Sequence, residues 1–173
     1  MKKIISLAIA VLTTAIASQA SELNVYPIPA VFTSKNVNDS AFQKVLSKHR
    51  GDFVKAYITQ FDKYFPNANK EISDKTKYKT FASYVHVPRA SQYPVKKSEH
   101  LLDIYLPLTM SINFVNMATG ETLYSYPVTN YFKYETTVES DIEKRKEKIV
   151  DLTKQNYEQT LEEVVKQASI DFK

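Results

Sequence analysis

The chain has 173 residues, 23 Lys and Arg against 19 Asp and Glu, no cysteine and two glycines. That length suggests one domain and a core that needs no disulfide or metal staple. The absence of cysteine excludes thiol nucleophiles and Cys-based zinc sites, and two glycines are too few for a phosphate-cradling or dinucleotide-binding loop.

The first twenty residues, MKKIISLAIAVLTTAIASQA, read as a secretory leader. Lys2 and Lys3 form its positive start, Ile4 to Ile16 its apolar stretch, and Ser18-Gln19-Ala20 a small-residue cut site before Ser21. Removing the leader takes two lysines and no acid, so 21 basic and 19 acidic residues remain, a net +2. The basic bias largely disappears, and with it the argument for nucleic acid. A lipid-anchored exported protein needs a cysteine at its mature start. The expectation is therefore a soluble periplasmic or secreted protein, with 21–173 as one domain and no stable membrane insertion.

Asn24 to Phe32 reads as a first strand, confined to an edge or bent by Pro27 and Pro29. Asn36 to Ser40 is a polar break, and Ser40 with Gln43 fits a capping box. Phe42, Val45, Leu46, Phe53, Val54, Tyr57, Ile58, Phe61, Tyr64 and Phe65 then recur at the helical period. The phase runs through Gly51, so one long helix is predicted, ended by Pro66. Asn67 to Lys79 is a lysine-rich loop. Thr80 to Val87 is a strand stopped by Pro88, and Tyr93 to His100 a second loop.

Leu102, Ile104, Leu106, Leu108, Met110, Ile112 and Phe114 are apolar at every even position, which predicts a long strand with one buried face. A return strand follows if Ala118-Thr119-Gly120 forms a hairpin loop, with Gly120 at positive φ and Met117 facing Glu121. That register places Phe114 opposite Tyr124, Ile112 opposite Tyr126, Met110 opposite Val128 and Leu106 opposite Phe132. The polar face then receives Asn113 with Ser125, Thr109 with Thr129, and Tyr105 with Lys133. Pro107 and Pro127 lack donors, so the ladder is expected to lose a bond or bulge at each. Ser140 and Glu143 form a second capping-box candidate. A second amphipathic helix runs from there to Phe172, its first turns almost wholly charged. The order β-α-β-β-β-α predicts an α+β two-layer domain: a mainly antiparallel sheet of about four strands with two long helices on one face.

No catalytic residue, metal site or cofactor is predicted. His49, His86 and His100 lack ligand spacing, and no nucleophile elbow occurs. Arg50-Gly51-Asp52 lies inside the predicted helix, where it cannot be presented as a recognition loop. Asn38-Asp39-Ser40 is better explained by helix capping than by glycosylation. The tyrosines carry the surface reading. Tyr84, Tyr105 and Tyr131, with Lys133, fall on the polar face of the predicted strands and form the candidate interaction surface.

The strand ending in SINFVNMATGETLYSY resembles the hairpin of bacterial envelope accessory domains, as in the periplasmic part of the curli channel CsgG, the lipoprotein LpoB and the N-terminal domain of TolB. In that group an alternating strand ends in a D/N-x-x-TGE turn, here Asn116 to Glu121, and returns through an aromatic strand. The resemblance spans the coarse layout of the chain, with the strand–helix–strand order of Asn24 to Val87 compatible. It departs in lacking an anchor cysteine and membrane-inserting hairpins, which argues against a secretion pore. The resemblance implies a non-enzymatic periplasmic module that binds an envelope protein. A holdase-type chaperone and a glycan- or peptidoglycan-binding module are the alternatives, and oligomeric state is open.

Overall fold

The computed structural model describes residues 24–33, 40–68 and 80–171. The leader, the predicted cut site and most of the lysine-rich loop lie outside the described residues. The elements are β1 (Asn24–Thr33), α1 (Ser40–Lys48), α2 (Arg50–Tyr64), β2 (Thr80–Ala90), β3 (Tyr93–Lys96), β4 (Leu101–Asn116), β5 (Thr122–Thr137) and α3 (Ile142–Asp171). The fold is the predicted α+β two-layer arrangement. β4 is central: β2 and β3 pair antiparallel with it along one edge and β5 along the other, while β1 lies parallel to β2.

All three helices cover the same side of the sheet. Phe42 and Val45 of α1, Phe53, Tyr57 and Phe61 of α2, and Tyr157, Leu161, Val164, Val165 and Ala168 of α3 close over Val85, Val87, Leu108, Met110, Ile112 and Phe114. Phe53 stacks on Tyr157 at 4.1 Å. Two buried polar ties pin helices to strands. Tyr57 Oη meets Ser83 Oγ at 2.6 Å, and Asn156 Nδ2 donates to the Leu106 carbonyl at 2.7 Å. Burial pushes the Tyr57 hydroxyl well above its ordinary pKa, so it stays protonated in that tie.

The hairpin register is the one read from alternation, from Ile104↔Tyr134 to Phe114↔Tyr124. The tip differs. Leu123 is bulged, Val115 faces Thr122, and the Asn116 amide donates to the Glu121 carbonyl at 2.8 Å. Asn116 Oδ1 accepts from the amides of Ala118 and Thr119, and the Gly120 amide closes back on the Asn116 carbonyl. That turn requires Gly120 at φ 74°.

The prolines are absorbed without disturbing the hairpin, because the register runs unshifted through Pro107↔Tyr131 and Ser111↔Pro127. The Ser91 amide donates to the Pro107 carbonyl at 3.1 Å, so at this residue the backbone polar groups point toward β2 and β3 and away from β5. Pro107 therefore occupies a non-hydrogen-bonded position of the β4–β5 ladder, and so does Pro127, four residues from Tyr131 on β5. The missing donor is felt on the other side, where β2 and β3 are separated at Ser91 and Gln92.

Four further expectations are corrected. The sheet has five strands among the described residues, because Tyr93–Lys96 is a strand and not loop. β2 continues past Pro88 through a register shift between His86 and Arg89, which makes Pro88 an extra residue in place of a stop. The first helix is not continuous: His49, at φ −115° and ψ 22°, separates α1 from α2, although the apolar phase continues across the break. The last helix is capped by Asp141, whose Oδ1 accepts from the Glu143 amide at 2.8 Å, and not by Ser140.

Two glycine variants test the backbone. At Gly120 any side chain meets open space but adopts a left-handed backbone. Gly120→Val should cost roughly 1–2 kcal/mol and more than Gly120→Asn. Gly51, in the first turn of α2 with open space where a methyl group would sit, should gain up to about 1 kcal/mol as Gly51→Ala. Urea denaturation of the three variants should show opposite signs at the two glycines.

Candidate functional site

The face of the sheet turned away from the helices carries the odd positions of β4 and β5. On β5 from Leu123 to Thr137 the odd side chains are exposed and the even ones half-buried or buried. On β4 the odd face is not simply a wet surface. Asp103, Ser111 and Asn113 are buried there, with Asn113 Nδ2 donating to Ser111 Oγ at 3.0 Å. Lys97 and Lys133 reach over Asp103 from either side.

All four predicted surface residues lie on this face, in two groups. Tyr105 and Lys133 are directly paired, and Tyr131 is paired with Pro107 in the next row. Tyr84 pairs with Asn113, eight residues further along β4, or about 27 Å at 3.4 Å per residue.

The group around Tyr105 is aromatic and ionic. Tyr93 of β3 stacks on Tyr105 at 5.4 Å with the rings 15° apart. Tyr131 stands beside them, 66% exposed. Beneath lies the Asp103 carboxylate, its side chain only 3% exposed. Its Oδ2 is 3.5 Å from Lys133 Nζ, 3.8 Å from Lys97 Nζ and 3.5 Å from Tyr105 Oη. Its buried Oδ1 has no hydrogen-bond partner. Lys97 also reaches Glu135 at 2.8 Å, and this bond, with the Asp103 charge, raises the Lys97 pKa.

The group around Tyr84 is apolar. Phe32 meets Tyr84 edge-on at 5.3 Å, and Ile28, His86, Val115 and Met117 complete a groove of about 460 Å³. Phe32 and Met117 are both exposed.

Tyr93, Asp103, Phe32 and Met117 were not singled out from sequence. Tyr93 and Phe32 join the face only through strand pairing, and Asp103 reads as an ordinary polar-face residue until its burial is known. Gly120 shapes the hairpin tip and belongs to neither group. Among the described residues no three His, Asp or Glu side chains converge as a metal-holding group, and no helix is long and apolar enough to cross a membrane. His49 pairs with Asp52, and His100 lies 3.8 Å from Glu139. Arg50, Gly51 and Asp52 are the first residues of α2 and form no loop.

No family model and no curated protein matches the chain. Solved structures similar to it include a hypothetical protein of Chlamydia trachomatis, at 8% identity over 87% of this chain and 96% of that one, with a TM-score of 0.47. A minor lipoprotein of Acinetobacter baumannii matches at 9% identity over 86% and 90%, with a TM-score of 0.41. Rare lipoprotein B of Shewanella oneidensis matches at 9% identity over 86% and 90%, with a TM-score of 0.33. At these values the likenesses assign no role to any residue.

Two substitution series test the open face. Ile112→Asp should unfold the domain, because Ile112 is fully buried under the helices. Asn113→Asp, on the opposite face but also buried, should cost about 1–3 kcal/mol and not behave as a surface change. Lys97→Met and Lys133→Met should each lower the urea midpoint slightly, since Asp103 keeps one counterion. The double variant should lower it by more than the sum, and adding Asp103→Leu should restore part of the loss.

Proposed function

We propose that the protein is a soluble, exported accessory protein of the bacterial cell envelope. It works without catalysis, by holding a partner protein on the open face of its sheet. The observation that carries this reading is the aromatic and apolar exposure on that face: Tyr131, Tyr93, Phe32 and Met117 all stand out where no helix covers the sheet among the described residues. Aromatic residues and methionine concentrate in protein interfaces because they bury large area at modest entropic cost. The secretory leader supports the compartment, and the Asn116–Glu121 turn supports the likeness to envelope accessory domains. Lys133 and Lys97 at one end and the apolar groove at the other make the face chemically uneven, which favours one orientation of a partner.

A second reading is favoured by one geometric detail. The Tyr93–Tyr105 ring pair beside exposed Tyr131, with Lys133 at its margin, is a platform on which a sugar ring could stack while its hydroxyls meet charged groups. This reading takes a glycan at the Tyr105 end only.

Capture from envelope extracts separates them. The wild-type protein should enrich a defined partner, and Tyr131→Ser with Phe32→Ser should lose it without a change in melting temperature. Equal capture by the double variant would place the partner elsewhere. Sedimentation with peptidoglycan that is lost in Tyr131→Ser and kept in Phe32→Ser would establish the glycan reading instead. Suppression of aggregation of many unrelated outer-membrane proteins would point to a chaperone.

A further inference from the structure

Among the described residues three strands have a single neighbour, β1, β3 and β5, and they are not equally protected: β3 has only four residues and includes Pro94. β1 carries Pro27 and Pro29 and a register shift between Pro27 and Val31. Such features blunt an edge against further strand pairing. β5 has one proline. Because the Pro107 backbone points toward Ser91, the odd residues of β5 turn their N–H and C=O groups outward, away from β4. Among the described residues no strand takes them up. Pro127 interrupts this outward row and the Thr137 carbonyl already accepts from the Ser140 amide and hydroxyl, but from Thr129 to Glu135 it is unbroken and contains neither proline nor glycine.

The geometry points to a second copy of this chain as the occupant, pairing β5 with β5 antiparallel about a two-fold axis at Tyr134. The side chains select the partner and the register. Lys133 and Glu135 sit two residues apart on the same face. In this register each Lys133 lies opposite Glu135 of the second copy, giving two reciprocal opposite-charge pairs. Moving by two residues one way sets Lys133 against Lys133, and the other way sets Glu135 against Glu135; like charges directly opposite destabilise a sheet. Moving by four residues brings Pro127 opposite Thr137 and loses its hydrogen bond, or leaves only the last three residues of β5 paired. Shifts by one residue oppose open-face residues to helix-face residues.

The ionic groups are available for this. Glu135 uses Oε2 on Lys97, and Lys133 makes only a long 3.5 Å contact to Asp103. The helix side gains as well. Ile104, Leu106 and Ile149 form a small buried cluster, and Phe132, Tyr134 and Leu152 beside it are only partly buried. At the two-fold axis Tyr134 meets Tyr134 of the second copy and Phe132 meets Thr136, so the cluster continues across the junction. The pairing joins two sheets edge to edge and leaves their open faces on one side.

The experiment measures association of the purified protein by light scattering and sedimentation up to the millimolar range, with three variants. A concentration-dependent dimer is expected. Lys133→Glu should weaken it by about tenfold or more, since both reciprocal pairs become like-charged. Lys133→Glu with Glu135→Lys should restore it, which separates pairing from any loss of fold caused by leaving Asp103. The chain has no cysteine, so a single introduced thiol reports cleanly. In a non-hydrogen-bonded cross-strand pair the Cα atoms lie ~4.5 Å apart, within disulfide reach. Tyr134→Cys should therefore cross-link under mild oxidation, and Tyr126→Cys, on the same face beyond Pro127, should not. A monomer at every concentration, a dimer indifferent to the charge swap, or equal cross-linking at the two positions would each overturn the inference.

Discussion

The unbroken run of β4 is the constraint from which the rest follows. Sixteen residues alternate without a register fault along most of their pairing with β5, and the strand takes neighbours on both edges. Its even side chains supply the floor on which all three helices rest. Burying a large aliphatic side chain is worth roughly 1.5–3 kcal/mol, and Leu108, Met110, Ile112 and Phe114 lie in succession on that floor. A one-residue slip would put Asp103, Tyr105, Thr109, Ser111 and Asn113 under the helices. The hairpin, the helix layer and the composition of the open face are all set by that single phase.

The polar ties act in a different way from the floor. Asn156 reaches the Leu106 carbonyl, and Tyr57 reaches Ser83, both in buried positions. Apolar contacts would tolerate some sliding of a helix along the sheet. A hydrogen bond between one side chain and one backbone group does not, and leaving either group unpaired costs about 1–3 kcal/mol. These bonds fix where along β2 and β4 the helices sit. On the outer surface Lys63 and Tyr64 of α2 both meet Glu162 of α3, which keeps that carboxyl below its ordinary pKa.

The hairpin was legible in the sequence because period two excludes every odd slip between the strands, and the short loop ending at Gly120 selects one of the registers that remain. Gly120 was legible because the turn had to fall where the alternation lapsed, and it is the glycine in that gap. The break at His49 was not, because the apolar phase continues across it and period alone cannot see one residue leave helical geometry. Tyr93–Lys96 was hidden by its length and by Pro94, and is a strand only because β4 offers it an edge. Tyr105, Tyr131 and Lys133 could be placed on one face from alternation. The depth of Asp103 and Asn113 could not, since alternation reports the side of the sheet and not what overhangs it. Phe32 and Tyr93 enter the open face through pairings between distant segments.

Pro88 shows how little one residue can matter to a strand. Before it, His86 faces outward and Val87 inward; after it, Arg89 faces outward and Ala90 inward. The order would be the same had Pro88 never been present. β2 therefore carries one residue more than its pairing with β4 requires, and the surplus is stored as local twist. Descendants of a common ancestor could differ in length at this point while keeping every inward and outward assignment. An added or lost residue within the Ile104–Phe114 span of β4 has no such shelter.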